Sequence, residues 1–180
     1  MSSISESMTR DHRACDERFA AAEGAAAKGD WLRAASDFAA YRAAMERHFT
    51  IEEETLFPAF ERHTGMTSGP TEVMRAEHAE MRDLFERLAA AATAHDADEF
   101  LGLAETLNLL MQQHNMKEEQ VLYTLMDESL GGDGTPALAA QQITFTALSL
   151  AFLPALGFSI ASTALVGQSI GARTPSDALL

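Results

Sequence analysis

Shifting the chain by 66 positions carries His12 onto His78, His48 onto His114 and Glu52 onto Glu118. Each half of residues 1–130 thus holds one lone His and one His-x-x-x-Glu pair. Other positions keep the register: Phe19 falls on Phe85, Asp30 on Asp96, Met45 on Met111, Glu53 on Glu119, Leu56 on Leu122 and Phe57 on Tyr123. Such a repeat constrains the chain to two copies of one unit. Imidazole nitrogen and carboxylate oxygen are donors to transition metals, and a shared metal site accounts for the polar part of the match.

The unit is a helical hairpin. Residues 3–129 are rich in Ala, Leu, Glu, Arg and Met, with turn residues confined to a few places. Ser3-x-x-Glu6 predicts a capping box opening a helix that runs to about Lys28, and Gly29 with Asp30 ends it and caps the next. The second helix is expected from Trp31 to about Arg62, with Pro58 kinking it or tightening its last turns. A break rich in Gly, Ser and Thr covers 63–70, and Pro70 and Glu72 open a third helix to about Ala94. Asp96-x-x-Glu99 caps the fourth, which ends before Gly131.

In an antiparallel hairpin, two residues share a level when the turn lies midway between them. The midpoint of His12 and His48 is position 30, that of His48 and His78 is 63, and that of His78 and His114 is 96. All three fall in the expected turns, so the four histidines share one level of an antiparallel up-down four-helix bundle. Glu52 and Glu118 each follow a His by four residues and lie on its face, about one turn on. Burying such groups without a cation costs on the order of 1 to 3 kcal/mol each.

The net charge of −14 lies entirely within residues 1–133 and disfavours nucleic acid and acidic membrane surfaces as partners of the bundle. A cation is the natural counterpart. Cys15 is the sole cysteine, which excludes an internal disulfide and reads as a packed core side chain. With no apolar secretory segment in 1–13, a cytoplasmic location is expected. His63 and His95 fall in turns outside the repeat and read as ordinary residues. Glu53, Glu54 and Glu119 read as solvated faces, and Phe19, Phe49, Phe57, Phe85 and Tyr123 as core packing by their helical spacing.

Residues 5–129 resemble the hemerythrin-like, or HHE cation-binding, domain. The likeness rests on His12 in Arg-Asp-His, on His48-Phe-Thr-Ile-Glu52-Glu-Glu-Thr-Leu-Phe-Pro, on His78 in Ala-Glu-His and on His114-Asn-Met-Lys-Glu118-Glu. It implies a non-haem centre of two iron ions with an oxo or hydroxo bridge. His12 and His48 would bind one iron, His78 and His114 the other, and Glu52 and Glu118 would bridge them; zinc or manganese are secondary readings. Oxygen-carrying hemerythrins have a fifth His where this chain has Met74. The expected site is therefore symmetric, nearer the di-iron proteins implicated in iron-sulfur centre repair and nitric oxide response.

The rest of the chain differs in character. Residues 134–172 contain no charge and no His, and 143–166 is long enough to cross a hydrocarbon core of about 30 Å. Residues 138–180 also resemble one transmembrane helix of MATE-type multidrug efflux transporters, notably in Leu150-Ala-Phe-Leu-Pro-Ala-Leu-Gly-Phe and Leu165-Val-Gly-Gln-Ser-Ile-Gly-Ala. The expected organisation is a bundle over 1–130, a linker over 131–137 and a hydrophobic helix over 138–180 that could tether the chain through 138–170. One such helix cannot transport. The functional expectation is a di-iron protein that binds or senses dioxygen, nitric oxide or peroxide, or handles iron. The alternative is a di-iron redox enzyme that reduces nitric oxide or peroxide or serves iron-sulfur cluster repair.

Overall fold

The computed structural model describes residues 3–130, all within one compact unit, Met1–Thr135. Every element described is helical: α1 (Ile4–Ala26), α2 (Trp31–Ile51), α3 (Phe57–Thr64), α4 (Pro70–Ala94), α5 (Ala97–Lys117) and α6 (Tyr123–Leu130). Short π-helical segments, Glu52–Leu56 and Glu118–Leu122, join α2 to α3 and α5 to α6 without a break. Four rods result, and they pack as an antiparallel bundle in which α1 lies against α2 and α5, and α4 against α2 and α5.

The local chemistry sets the ends of the rods. Ser3 and Glu6 form the reciprocal capping box of α1, and Asp127 accepts from the Ile4 and Ser5 N–H groups at 2.7 and 3.1 Å, fixing that end to α6. Asp30 caps α2 by accepting from Arg33 N–H at 3.3 Å, and Asp96 caps α5 by accepting from Glu99 N–H at 3.0 Å. Gly65 ends α3 in the left-handed region at φ 74°. His95 takes the same conformation at φ 58° and stacks on Trp31, ring centroids 5.5 Å apart, which ties two turns together at one end of the bundle.

Apolar faces of the rods meet in two clusters. The larger contains Phe19, Phe38, Tyr41, Met45, Phe85 and Leu107 towards the turns at 30 and 96. The smaller contains Met8, Phe57, Phe60, Met74, Tyr123 and Met126 at the other end. Burying side chains of this size contributes roughly 1.5–3 kcal/mol each. Met8 and Met74 are repeat mates, and Met74 is packed in the apolar cluster. The layer between the clusters is the level predicted for the histidines.

The second rod departs from expectation at Pro58. It widens before the proline instead of tightening: the Phe57 N–H reaches back five residues to the Glu52 carbonyl. The proline is not the cause, because the second half widens identically, Tyr123 N–H to Glu118 carbonyl, with Thr124 at the corresponding position. The expected linker at 131–137 and hydrophobic helix at 138–180 lie outside the described residues. Among the described residues, no helix is long and apolar enough to cross a membrane.

Candidate metal centre

Four rods deliver six side chains to one layer. α1 supplies His12, α2 supplies His48, the π segment after it Glu52, α4 His78, α5 His114 and the second π segment Glu118. Each is at most 1% exposed. His12 Nε2 and His48 Nε2 are 3.0 Å apart, and His78 Nε2 and His114 Nε2 are 3.2 Å apart. That spacing suits two neighbouring corners of a coordination sphere with metal-nitrogen bonds of about 2.1 Å.

The carboxylates link the two imidazole pairs. Glu118 turns Oε2 to His12 Nε2 at 3.3 Å and Oε1 to His114 Nε2 at 3.2 Å, so its two oxygens face different pairs. Glu52 Oε2 lies 3.5 Å from His48 Nε2 and 3.3 Å from His78 Nε2. Two groups of donor atoms, each within 4.8 Å, could hold a metal: Glu52, His78, His114 and Glu118, and His12, His48 and Glu118. The predicted residues are thus brought together in the expected pairs, while His63 stands exposed and His95 stacks on Trp31 away from them.

An outer ring of carboxylates completes each imidazole. His12 Nδ1 donates to Glu119 at 2.8 Å, His48 Nδ1 to Asp11 at 3.0 Å, His78 Nδ1 to Glu53 at 2.7 Å and His114 Nδ1 to Glu77 at 2.9 Å. Glu53 and Glu119, expected as solvated faces, are therefore corrected to partners of the centre, whereas Glu54 is exposed as expected. Asp11 and Glu77 were missed altogether. Their signal was present, since 66 residues separate them and each precedes a repeated His.

This ring decides whether a cation fits. A carboxylate only accepts, so a proton sits on each Nδ1 and each Nε2 is left to take either a second proton or a metal. The facing Nε2 atoms of each pair lie 3.0 and 3.2 Å apart, too close for both to carry a proton directed at the other. Buried Glu52 Oε2 and Glu118 Oε1 find no hydrogen-bond partner. Such a cluster is electrostatically unsatisfied without positive charge at its middle, and the donor set is the one a transition metal takes.

Tyr123 corrects a second expectation. Its hydroxyl enters the layer, 2.6 Å from Glu52 Oε1 and 2.9 Å from Glu118 Oε2, instead of only packing. The π segment explains how: an i to i+5 bond brings Glu118 and Tyr123 to one inner face. No sequence pattern of period 3.6 signals that widening. Phe49 stacks on His78 at 3.9 Å between centroids, and Phe57 lies parallel to it at 6.0 Å, so these rings do pack as expected.

Protonation tells the same story. Burial pushes the His114 imidazole down, but Glu118 and Glu77 outweigh it and raise it to about 10. His12 is likewise disfavoured by burial yet raised by Glu118 and Glu119. Burial pushes Glu118 up, and His114 with His12 hold it well below the carboxylate range. Burial, with the charges of Glu118 and Glu52, drives Tyr123 well above 10, so its hydroxyl keeps its proton and donates. Cys15 is fully buried in the larger cluster and its thiol is pushed up to about 11 by burial, consistent with an inert packed residue.

Comparison with known proteins adds two matches. The family model described as Hemerythrin HHE cation binding domain matches residues 3–126. A model described as MatE matches residues 119–179, a third of the chain that falls mostly outside the described residues. No curated protein and no solved structure gives a match.

Proposed function

The chain belongs to the hemerythrin HHE cation binding domain family, and from that premise we propose that its bundle holds two iron ions and binds or senses a small species such as dioxygen, nitric oxide or peroxide. His12 and His48 hold one ion, His78 and His114 the other, and Glu52 and Glu118 span the two. The observation that carries this reading is the convergence of six buried donors, with two carboxylate oxygens that face imidazole nitrogens without a hydrogen bond. Iron with open positions supplies reversible coordination of small ligands when bound.

The chain's own residues favour small ligands over large substrates. Two imidazoles and two bridging carboxylates per ion fall short of an octahedron, so positions remain open. Met8, Phe57, Met74 and Met126 cover one side of the layer, and Met45, Phe49, Phe85 and Met111 the other, which excludes bulk water. The Nδ1 carboxylates fix each ring's orientation and strengthen its Nε2 as a donor. Tyr123 orients Glu52 and Glu118.

Metal analysis of the purified full chain with an optical spectrum tests the proposal. The expected result is a pair of irons per chain with charge-transfer bands of a bridged ferric pair. Replacing His114 or Glu118 by Ala removes metal, while replacing His63 or His95 does not. Mixing the reduced form with dioxygen, nitric oxide or peroxide then gives a stable adduct; continuous turnover would make the chain a redox enzyme instead. Stoichiometric zinc, manganese or no metal would overturn the iron assignment.

A further inference from the structure

The outer ring repeats, but its counter-charges do not. Arg82 grips Glu53 with two N–H donors, 2.9 Å to Oε1 and 3.2 Å to Oε2, and Lys117 donates to Glu77 in a buried ion pair. Both cations serve the carboxylates of His78 and His114. In the other half, the position equivalent to Lys117 is Ile51 and that equivalent to Arg82 is Asp16. Among the described residues, the ion pairs of Asp11 and Glu119 are those with His48 and His12. Arg47 acts on Asp11 only at longer range, and Asp16 adds negative charge beside Glu119.

Charge on an outer carboxylate passes through the imidazole to the metal, and a cation on that carboxylate withdraws it. Ferric iron needs the donation more than ferrous iron does. Water attenuates the charge of Asp11 and Glu119, whose side chains are 47% and 34% exposed. Direct contact with Lys117 neutralises Glu77, 7% exposed, far more completely, so the cations decide the order.

Resting on the di-iron reading above, we propose that this uneven outer ring makes the two metal positions inequivalent in reduction potential. The iron held by His12 and His48 is oxidised first, and the iron held by His78 and His114 stays ferrous longer. One electron leaves the diferrous pair for a one-electron acceptor, turning one Fe(II) into Fe(III) with no bond made or broken. Arg82 and Lys117 act as positioning residues for charge and touch neither metal nor ligand.

The test uses the full chain loaded with ferrous iron under anaerobic conditions and titrated with ferricyanide, which is reduced to ferrocyanide. The signal of the mixed-valence state in electron paramagnetic resonance gives the window between the two midpoint potentials. Lys117→Met and Arg82→Gln lower the potential of the His78 and His114 position, so the window narrows. Ile51→Lys, at a half-exposed position, adds the missing cation near Asp11, raises the other potential and also narrows it. A window that widens in either kind of variant places the ferric ion on the opposite side and overturns the inference, as does a window left unchanged. Iron content is measured first: a wild-type chain without a pair of irons defeats the di-iron reading itself, whereas iron-loaded chains with an unmoved window defeat only this inference.

Discussion

Phe57 and Tyr123 occupy the same station in the two halves of the chain, yet only Tyr123 carries an oxygen into the layer of histidines, 2.6 Å from Glu52 Oε1. The hydroxyl is a buried donor placed between the two carboxylates, 2.9 Å from Glu118 Oε2. Tyr123→Phe is expected to destabilise the metal-free chain by about 1–3 kcal/mol, because an acceptor loses its donor inside the protein. With metal bound, the cation satisfies Glu52 and Glu118 and the loss shrinks. Denaturant unfolding of both forms checks this, and equal losses in the two would remove the hydroxyl from the site.

Tyr41 is expected to behave oppositely. Its hydroxyl is buried in the larger cluster, among Phe19, Phe38 and Phe85, and has no hydrogen-bond partner. Tyr41→Phe keeps the ring packing and removes a desolvated polar group, so the chain gains stability, on the order of 1 kcal/mol. A fall in the thermal midpoint would show that the hydroxyl has a partner after all.

The Nδ1 carboxylates are expected to control metal affinity without touching metal. Asp11→Asn, Glu53→Gln, Glu77→Gln or Glu119→Gln each weakens binding about 10–100-fold, since the ring loses both its orientation and its electron donation. Glu54→Gln, at the exposed position next to Glu53, changes nothing. Competition with a chelator of known affinity measures each value.

The parts of this architecture that were legible from sequence are those governed by period and symmetry. Turn midpoints at 30, 63 and 96 levelled the histidines, and the caps at Ser3, Asp30 and Asp96 lie where the capping pattern put them. What escaped depends on geometry that period alone does not carry. Glu53 and Glu119 follow a ligand directly and so point away from it along an ideal helix, yet the widened turns let them reach His78 and His12 on neighbouring rods. Tyr123 entered the layer by the same widening. Asp11 and Glu77 pair with a histidine one rod away, not with the adjacent one, and only the packing of α1 on α2 and α4 on α5 reveals it.

The metal-free chain is expected to weaken with rising pH over the same range in which the stabilisation given by metal grows. His114 is raised in the folded state from 6.5 to about 10, so folding takes up a proton between those values. Its contribution is therefore fully present below pH 6.5 and is lost as pH rises towards 10, by up to about 1.4 kcal/mol per pH unit for one proton. Glu118, held low, contributes above pH 4.5 and loses that contribution only as pH falls through its folded value. The metal-free chain thus weakens across the window from 6.5 to 10. Metal needs the same imidazole unprotonated, so binding releases protons and tightens as pH rises through that window. The stabilisation given by ferrous iron, read as the difference between loaded and metal-free thermal midpoints under anaerobic conditions, grows with pH. A metal-free midpoint that climbs from pH 6.5 towards 10, or a metal-induced gain that shrinks, would be incompatible with protons and metal competing for one charge-deficient core.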